Sequence, residues 1–364
     1  MSPIKILSID GGGIRGVIPA LILSEIEKRT GKKITELFDL LAGTSTGGII
    51  AVGLNVNDPE TGAAYSAQKI AGLYELNGEK IFKKRSFFSS VGGLAEEAFQ
   101  HEGLEEVLKS YFGNAELKDS HSALLVTSYD IEQRKPFYFL SREARMKPDT
   151  ENFLMRDIAR STSAAPTYFE PHWMPWAENG HLTLVDGGVF ANNPSVLAYT
   201  EAINLMRLRE FENSFGEPQP AEDANPAESR SGVGSRDFTA GLPEYMAPDQ
   251  APDFFMVSLG TGQACRPYPY EKAKGWGMVQ WVQPIIDILM QGVSESVHYQ
   301  MQYLLPPTRD GRQHYYRINP AMPESCSEMS NVSEENMKAL QGVAREVIEQ
   351  ESGTIDAICQ VLLS

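Results

Sequence analysis

The chain has 364 residues, 42% of them hydrophobic, and a formal charge of −16 at pH 7. That is enough material for a large α/β domain with a sizeable core, and the charge has the wrong sign for non-specific attraction to a nucleic-acid polymer or a strongly anionic membrane. Three cysteines, Cys265, Cys326 and Cys359, are too few and too scattered for a disulfide framework or a Cys-x-x-Cys metal site, which predicts a reducing, cytoplasmic setting.

Residues 1–9 lack the basic start and cleavage site of a secretory signal and read as a first strand, which runs into Asp10-Gly11-Gly12-Gly13-Ile14-Arg15-Gly16. Ile18, Leu21, Ile22 and Ile26 then recur at helical spacing, with Pro19 suited to a first turn and Gly31 to a C-terminal stop. Phe38 to Ala42 leads into Gly43-Thr44-Ser45-Thr46-Gly47, after which Gly47 to Val52 predicts a buried helix. This repeated order of strand, loop and helix predicts a mostly parallel sheet in an α/β fold. Strands are expected at 123–130 and 136–140, and helices at 154–164 and 194–208. The apolar run Leu182 to Val185 ends in Asp186-Gly187-Gly188, and a strand at 254–259 meets Gly260-Thr261-Gly262. Between them, residues 212–253 hold six prolines and nine acidic residues against two arginines, which predicts a mobile surface insertion inside one domain spanning 1–364. From residue 275 onward the chain reads as mostly helical, with a short strand at 314–318.

Three of these segments carry chemistry. In Gly-x-Ser-x-Gly a sharp turn from strand to helix exposes a strained serine, so Ser45 is the candidate nucleophile. The glycine loop offers consecutive amides at a helix start, a seat for an oxyanion, with Arg15 adding positive charge. Gly11-x-Gly13-x-x-Gly16 also satisfies a dinucleotide fingerprint, so a nucleotide-binding or sensing module that holds phosphate on this loop is the competing reading. That reading needs a ribose-binding acid after the next apolar run, and Asp39 precedes one. None of His101, His121, His172, His181, His298 and His314 ends a clear strand beside a glycine turn. Asp186 does, and a carboxylate in a buried site can have its pKa raised into the working range and take the serine proton directly.

Read in order, the glycine loop, the Ser45 turn and the Asp186 turn resemble the patatin-like phospholipases, and Ser163-Ala164-Ala165-Pro166-Thr167-Tyr168-Phe169 is similar to a further family segment. The resemblance implies a three-layer α/β/α sandwich and a Ser-Asp dyad that cleaves lipid acyl esters through an acyl-enzyme, with no cofactor and no metal. Ser45 would be nucleophile and Asp186 base. Gly11, Gly12 and Gly13 would supply oxyanion amides, assisted by Arg15 and the Thr46 amide. The size and helical tail also resemble bacterial members switched on by cyclic nucleotides in anti-phage signalling, which implies a cyclic-dinucleotide activator.

No stretch approaches the roughly 18 to 20 apolar residues of a membrane-spanning helix, so access to phospholipid is expected to be peripheral. Lys80 to Phe88 combines four basic residues with three phenylalanines, suited to headgroups and the acyl boundary, or to a basic helix end followed by core aromatics. The apolar residues from Trp276 to Met290, interrupted by Pro284, predict a helix packed on the sheet; covering an acyl groove and forming a homodimer contact are the other readings.

Overall fold

The computed structural model describes residues 3–84, 99–177, 180–215, 254–264, 267–309 and 311–364. Most of the acidic insertion, residues 85–88 of the basic aromatic segment, and Cys265 lie outside the described residues.

In chain order the main elements are β1 (Ile4–Ile9), α1 (Val17–Thr30), β2 (Leu40–Thr44), α2 (Thr46–Leu54), α3 (Ala67–Ile81), α4 (His101–Phe112), β3 (Ala123–Asp130), β4 (Lys135–Leu140) and α5 (Met155–Thr162). They continue with β5 (His172–Trp176), β6 (Gly180–Asp186), α6 (Ser195–Phe215), β7 (Phe254–Leu259), α7 (Met278–Leu304), β8 (Tyr315–Ile318), α8 (Glu334–Gln350) and α9 (Ser352–Leu363). Local chemistry sets several ends. Gly31 closes α1 in the left-handed conformation at φ 69°, and Ser66 caps α3 by accepting the Lys69 N–H.

Among the described residues eight strands form one sheet in the order β5-β6-β3-β2-β1-β7-β8, with β4 on the second edge of β3. The strands from β3 to β8 along this order are parallel, while β4, β5 and β6 pair antiparallel. The central strands are buried on both faces, which explains their nearly unbroken apolar sequences. Their alternation feeds two cores. Leu7, Ile9, Leu41, Val257 and Leu259 face α1, α2, α3, α8 and α9, whereas Ile4, Ile6, Leu40, Ala42 and Met256 face α6 and the C-terminal half of α7. The result is an α/β fold with helices on both sides of a mostly parallel sheet. The helical tail is tied to the first core, since Arg29 donates to Ser352 O and Asp356 Oδ1 and the Lys5 ammonium donates to Leu362 O.

The expectation that the apolar residues of 276–290 pack on the sheet is corrected. Met278 is 90% and Val279 85% exposed, and Ile285, Ile288 and Leu289 are also exposed. Burial in this helix begins further on, at Ser294 and Met301. No helix among the described residues is long and apolar enough to cross a membrane.

Candidate active site

Register brings the Ser45 and Asp186 turns together. β2 pairs with β3 only as far as Thr44 opposite Thr127; β4 occupies the other edge of β3, so the edge that β2 vacates is taken by β6, with Asp186 opposite Ser128. The residue after β2 and the last residue of β6 therefore meet at the carboxyl ends of the parallel strands, where α/β sheets form their crevices.

Ser45 has φ 54° and ψ −124°, the strained backbone of a tight strand-to-helix turn. Its flanking glycines are required by contact. A Cβ on Gly43 would lie 2.2 Å from the Gly47 carbonyl oxygen, and one on Gly47 would lie 2.2 Å from that of Ile9. The Ser45 N–H donates to Thr162 Oγ1 at 2.8 Å, and Thr44 Oγ1 donates to the Ala191 carbonyl at 2.6 Å, so α5 and the Asp186 turn hold the bend from both sides. The Tyr74 hydroxyl exchanges hydrogen bonds with Thr46 Oγ1 and Thr46 O, which pins the first turn of α2.

Asp186 is 2% exposed. Its N–H donates to Ala164 O, and Oδ1 accepts the Gly188 N–H at 2.7 Å. The segment Ser163–Phe169 thus positions the carboxylate as well as supplying cavity wall. Oδ2 is sealed from solvent and completes no hydrogen bond of good geometry. Burial raises the pKa to about 7 against the opposing pull of the neighbouring Ser45 hydroxyl and the Gly188 amide. Ser45 and Asp186 line one cavity of about 60 Å³, walled chiefly by apolar groups that include Ile49, Ile81, Phe82, Phe169, Ile286 and Met290. None of its lining residues is a histidine, and Asp186 is its one acid. His172, half-buried and lowered to about 4 chiefly by desolvation, lies outside it.

The glycine loop is divided in its roles. Gly11 donates its N–H to Asn192 O at 3.0 Å, which removes it from the expected set of oxyanion amides. Gly12 and Gly13 have no amide partner among the described residues, and neither has Thr46 at the start of α2. Gly13 has φ 61°, and a Cβ there would meet the Met329 carbonyl at 2.3 Å. Arg15 points elsewhere. Its Nε donates to Gly12 O at 3.2 Å, and the side chain lines a larger polar chamber of about 980 Å³ that shares Tyr168, Met290 and Met329 with the Ser45 cavity. The structure therefore gives Arg15 a bracing contact on the loop and no contact with the Ser45 cavity.

Three groups absent from the sequence reading complete the support. Arg317 on β8 donates to both Asp10 oxygens, at 2.8 and 2.6 Å, and to Ser258 Oγ, anchoring the root of the glycine loop. Asn192 donates to Ser294 Oγ and Asn193 to Ser294 O, tying the Asp186 turn to α7. The Asn-Asn pair next to Asp-Gly-Gly was the available signal; Arg317, more than 300 residues from its partner, left none. Asp39, the candidate ribose acid, accepts the Lys5 N–H before β2 begins, at the opposite end of the sheet from the glycine loop.

The patatin-like phospholipase family model matches residues 7–199, a span that contains all three turns. Patatin-like protein 2 of Arabidopsis thaliana is 32% identical over 320 residues, covering 82% of this chain and 71% of that protein. Patatin-like protein 1 of Oryza sativa subsp. indica is 27% identical over 369 residues, covering 95% and 81%. A relative named probable inactive patatin-3-Kuras 1, from Solanum tuberosum, is also 27% identical, over 362 residues, covering 95% and 87%. The solved structure of VipD from Legionella pneumophila aligns with a TM-score of 0.32 at 10% identity, over 95% of this chain and 67% of that one, too slight a likeness to bear on the fold. On its match to the family model and its identity to curated relatives, this chain belongs to the patatin-like phospholipase family, whose activity is lipid acyl hydrolysis.

Proposed function

We propose that the protein is a phospholipase A-type acyl hydrolase in which Ser45 and Asp186 act as a catalytic dyad. The observation that carries this reading is the joint lining of one apolar cavity by a serine on a strained elbow and a buried carboxylate with an unsatisfied oxygen and a pKa near 7. In the ionised enzyme Asp186 accepts the Ser45 proton as the alkoxide attacks the ester carbonyl. The proton then passes to the departing alcohol, and water deprotonated at the same carboxylate cleaves the acyl-enzyme. The developing oxyanion is held by the amides of Gly12, Gly13 and Thr46, with the α2 N-terminus adding its partial positive charge.

The apolar cavity wall suits an acyl chain, and the exposed apolar half of α7, whose Ile286 and Met290 also line that cavity, suits peripheral contact with a lipid surface. Ser45→Ala is expected to abolish hydrolysis of a long-chain p-nitrophenyl ester and labelling by a fluorophosphonate. Asp186→Asn is expected to lose about 10² to 10⁴ in rate while remaining folded, the usual contribution of a positioned base. Full activity in either variant sinks the dyad. Activation by a cyclic dinucleotide, carried only by the resemblance in size and tail, is a separate proposal; a rate unchanged by such ligands removes it.

A further inference from the structure

Thr46 occupies the first position of α2, directly after the nucleophile, where a helix leaves its N–H groups without an intrahelical acceptor. It is 2% exposed, and a side chain of α3 holds it. Thr46 Oγ1 donates to the Tyr74 hydroxyl at 2.6 Å, and that hydroxyl donates to Thr46 O at 3.1 Å. One phenolic oxygen therefore grips two polar groups of the same threonine, its side chain and its carbonyl. The Cα of Thr46 is fixed from both sides, and with it the peptide that carries the Thr46 N–H. The glycine loop meets the same side chain, because a Cβ on Gly16 would lie 2.1 Å from Thr46 Oγ1. Thr46 is thus clasped between the end of that loop and Tyr74.

Tyr74 is itself buried, and it lines the Ser45 cavity. Its hydroxyl proton is committed to Thr46 O, which leaves none for a substrate, and burial raises its pKa above the ordinary phenol range, which keeps it neutral. Any buried tyrosine needs a partner for its hydroxyl, and Tyr65 finds one in Tyr111 O at 3.1 Å without lining the cavity. Tyr74 differs in spending both of its bonds on the residue next to the nucleophile.

We propose that Tyr74 is a positioning residue for the reaction at Ser45, which through Thr46 aims the first amide of α2 at the oxyanion and keeps that amide in step with the glycine loop. The inference rests on the reading that acyl esters react at Ser45, and it adds a residue outside the three turns whose effect is confined to the transition state. A donor aimed at the carbonyl oxygen gains strength as negative charge develops there. Loss of that aim therefore lowers kcat and leaves substrate binding in place.

The test compares Tyr74→Phe with Tyr65→Phe on a long-chain p-nitrophenyl ester. Tyr74→Phe keeps the cavity wall and removes both hydrogen bonds, so kcat and kcat/KM are expected to fall together by about 10- to 100-fold with KM unchanged. Affinity for a long-chain trifluoromethyl ketone, which forms a tetrahedral oxyanion on Ser45, is expected to fall by a similar factor, whereas the matching long-chain alcohol, which forms none, binds as before. The midpoint of the pH–rate profile is expected to stay at its wild-type value, because Asp186 is untouched. Thr46→Val is expected to lower kcat as well and to add little to Tyr74→Phe, and Thr46→Ser, which keeps the hydroxyl, to recover most of that loss. Tyr65→Phe is expected to lose stability and keep its kcat. Wild-type kcat in Tyr74→Phe, equal weakening of ketone and alcohol, a shifted pH midpoint, or a kcat loss matched by Tyr65→Phe overturns the proposal. Should Tyr74→Phe fail to fold, Thr46→Val against Thr46→Ser decides it by the same ketone and alcohol affinities. Failure of the dyad appears separately, as ester hydrolysis that survives Ser45→Ala.

Discussion

A carboxylate can take a proton from serine near neutral pH only if its own affinity for protons is raised, and the burial that raises it in Asp186 has a cost in stability. With a folded pKa of about 7 against an ordinary 3.8, the native state binds a proton that the unfolded chain releases between those values. Stability from this group therefore falls as pH rises through that window, and the full penalty, about 4 kcal/mol for about three pH units, is present above pH 7. Activity has the opposite sign, because only the ionised form accepts the Ser45 proton. The rate on a soluble ester is expected to rise about tenfold per pH unit below pH 7 and to level off above it. Asp186→Asn is expected to be more stable than wild type in urea unfolding at pH 8, by up to about 4 kcal/mol, with the gap closing toward pH 4. A flat pH profile, or a variant less stable at pH 8, contradicts this account of the carboxylate.

At the scale of elements, the site depends on three bends held by contacts that tolerate no extra atom or missing partner. Gly43→Ala or Gly47→Ala places a methyl 2.2 Å from a backbone oxygen that belongs to the turn or to β1, so neither neighbour can give way without moving the elbow. Each is expected to destabilise the protein by several kcal/mol, beyond the ordinary 1–3 kcal/mol of overpacking, and to remove activity together with stability. The Asp10–Arg317 pair behaves differently. Arg317→Met strands a buried carboxylate and is expected to cost about 3–5 kcal/mol, whereas adding Asp10→Asn to the same chain recovers much of that loss. Denaturant midpoints of the single and double variants provide the check. A double variant no better than the single one shows that Arg317 acts through packing alone.

Considered as a whole, the molecule combines a formal charge of −16 with an apolar, aromatic-edged stretch at Trp276, Met278, Val279 and Trp281, at the start of the helix whose Ile286 and Met290 line the Ser45 cavity. Long-range repulsion and local apolar attraction then oppose one another at an anionic surface and do not at a neutral one. Flotation with neutral vesicles is expected to exceed that with anionic vesicles at low salt, with the difference narrowing as salt rises. Met278→Asp/Val279→Asp is expected to reduce both. Retained flotation in that variant assigns membrane contact to another surface.

Much of the fold was legible because it is written in short-range patterns. The apolar runs of β1, β2 and β7, the helical spacing after Arg15, and the glycines around Ser45 each follow from the local geometry of a strand, a helix or a turn. The same locality marked Ser45 and Asp186 as residues worth bringing together. The antiparallel return of β6 onto the edge that β2 leaves at Thr127 was not legible, nor was the loss of the Gly11 amide to Asn192, the turn of Arg15 into the neighbouring chamber, or the exposure of the first half of α7. A single sequence determines which residues can form a bend, because backbone sterics act between neighbours. Which amide remains free, which carboxylate is buried and which charges face one chamber depend on contacts between segments hundreds of residues apart, and only the closed tertiary structure decides those.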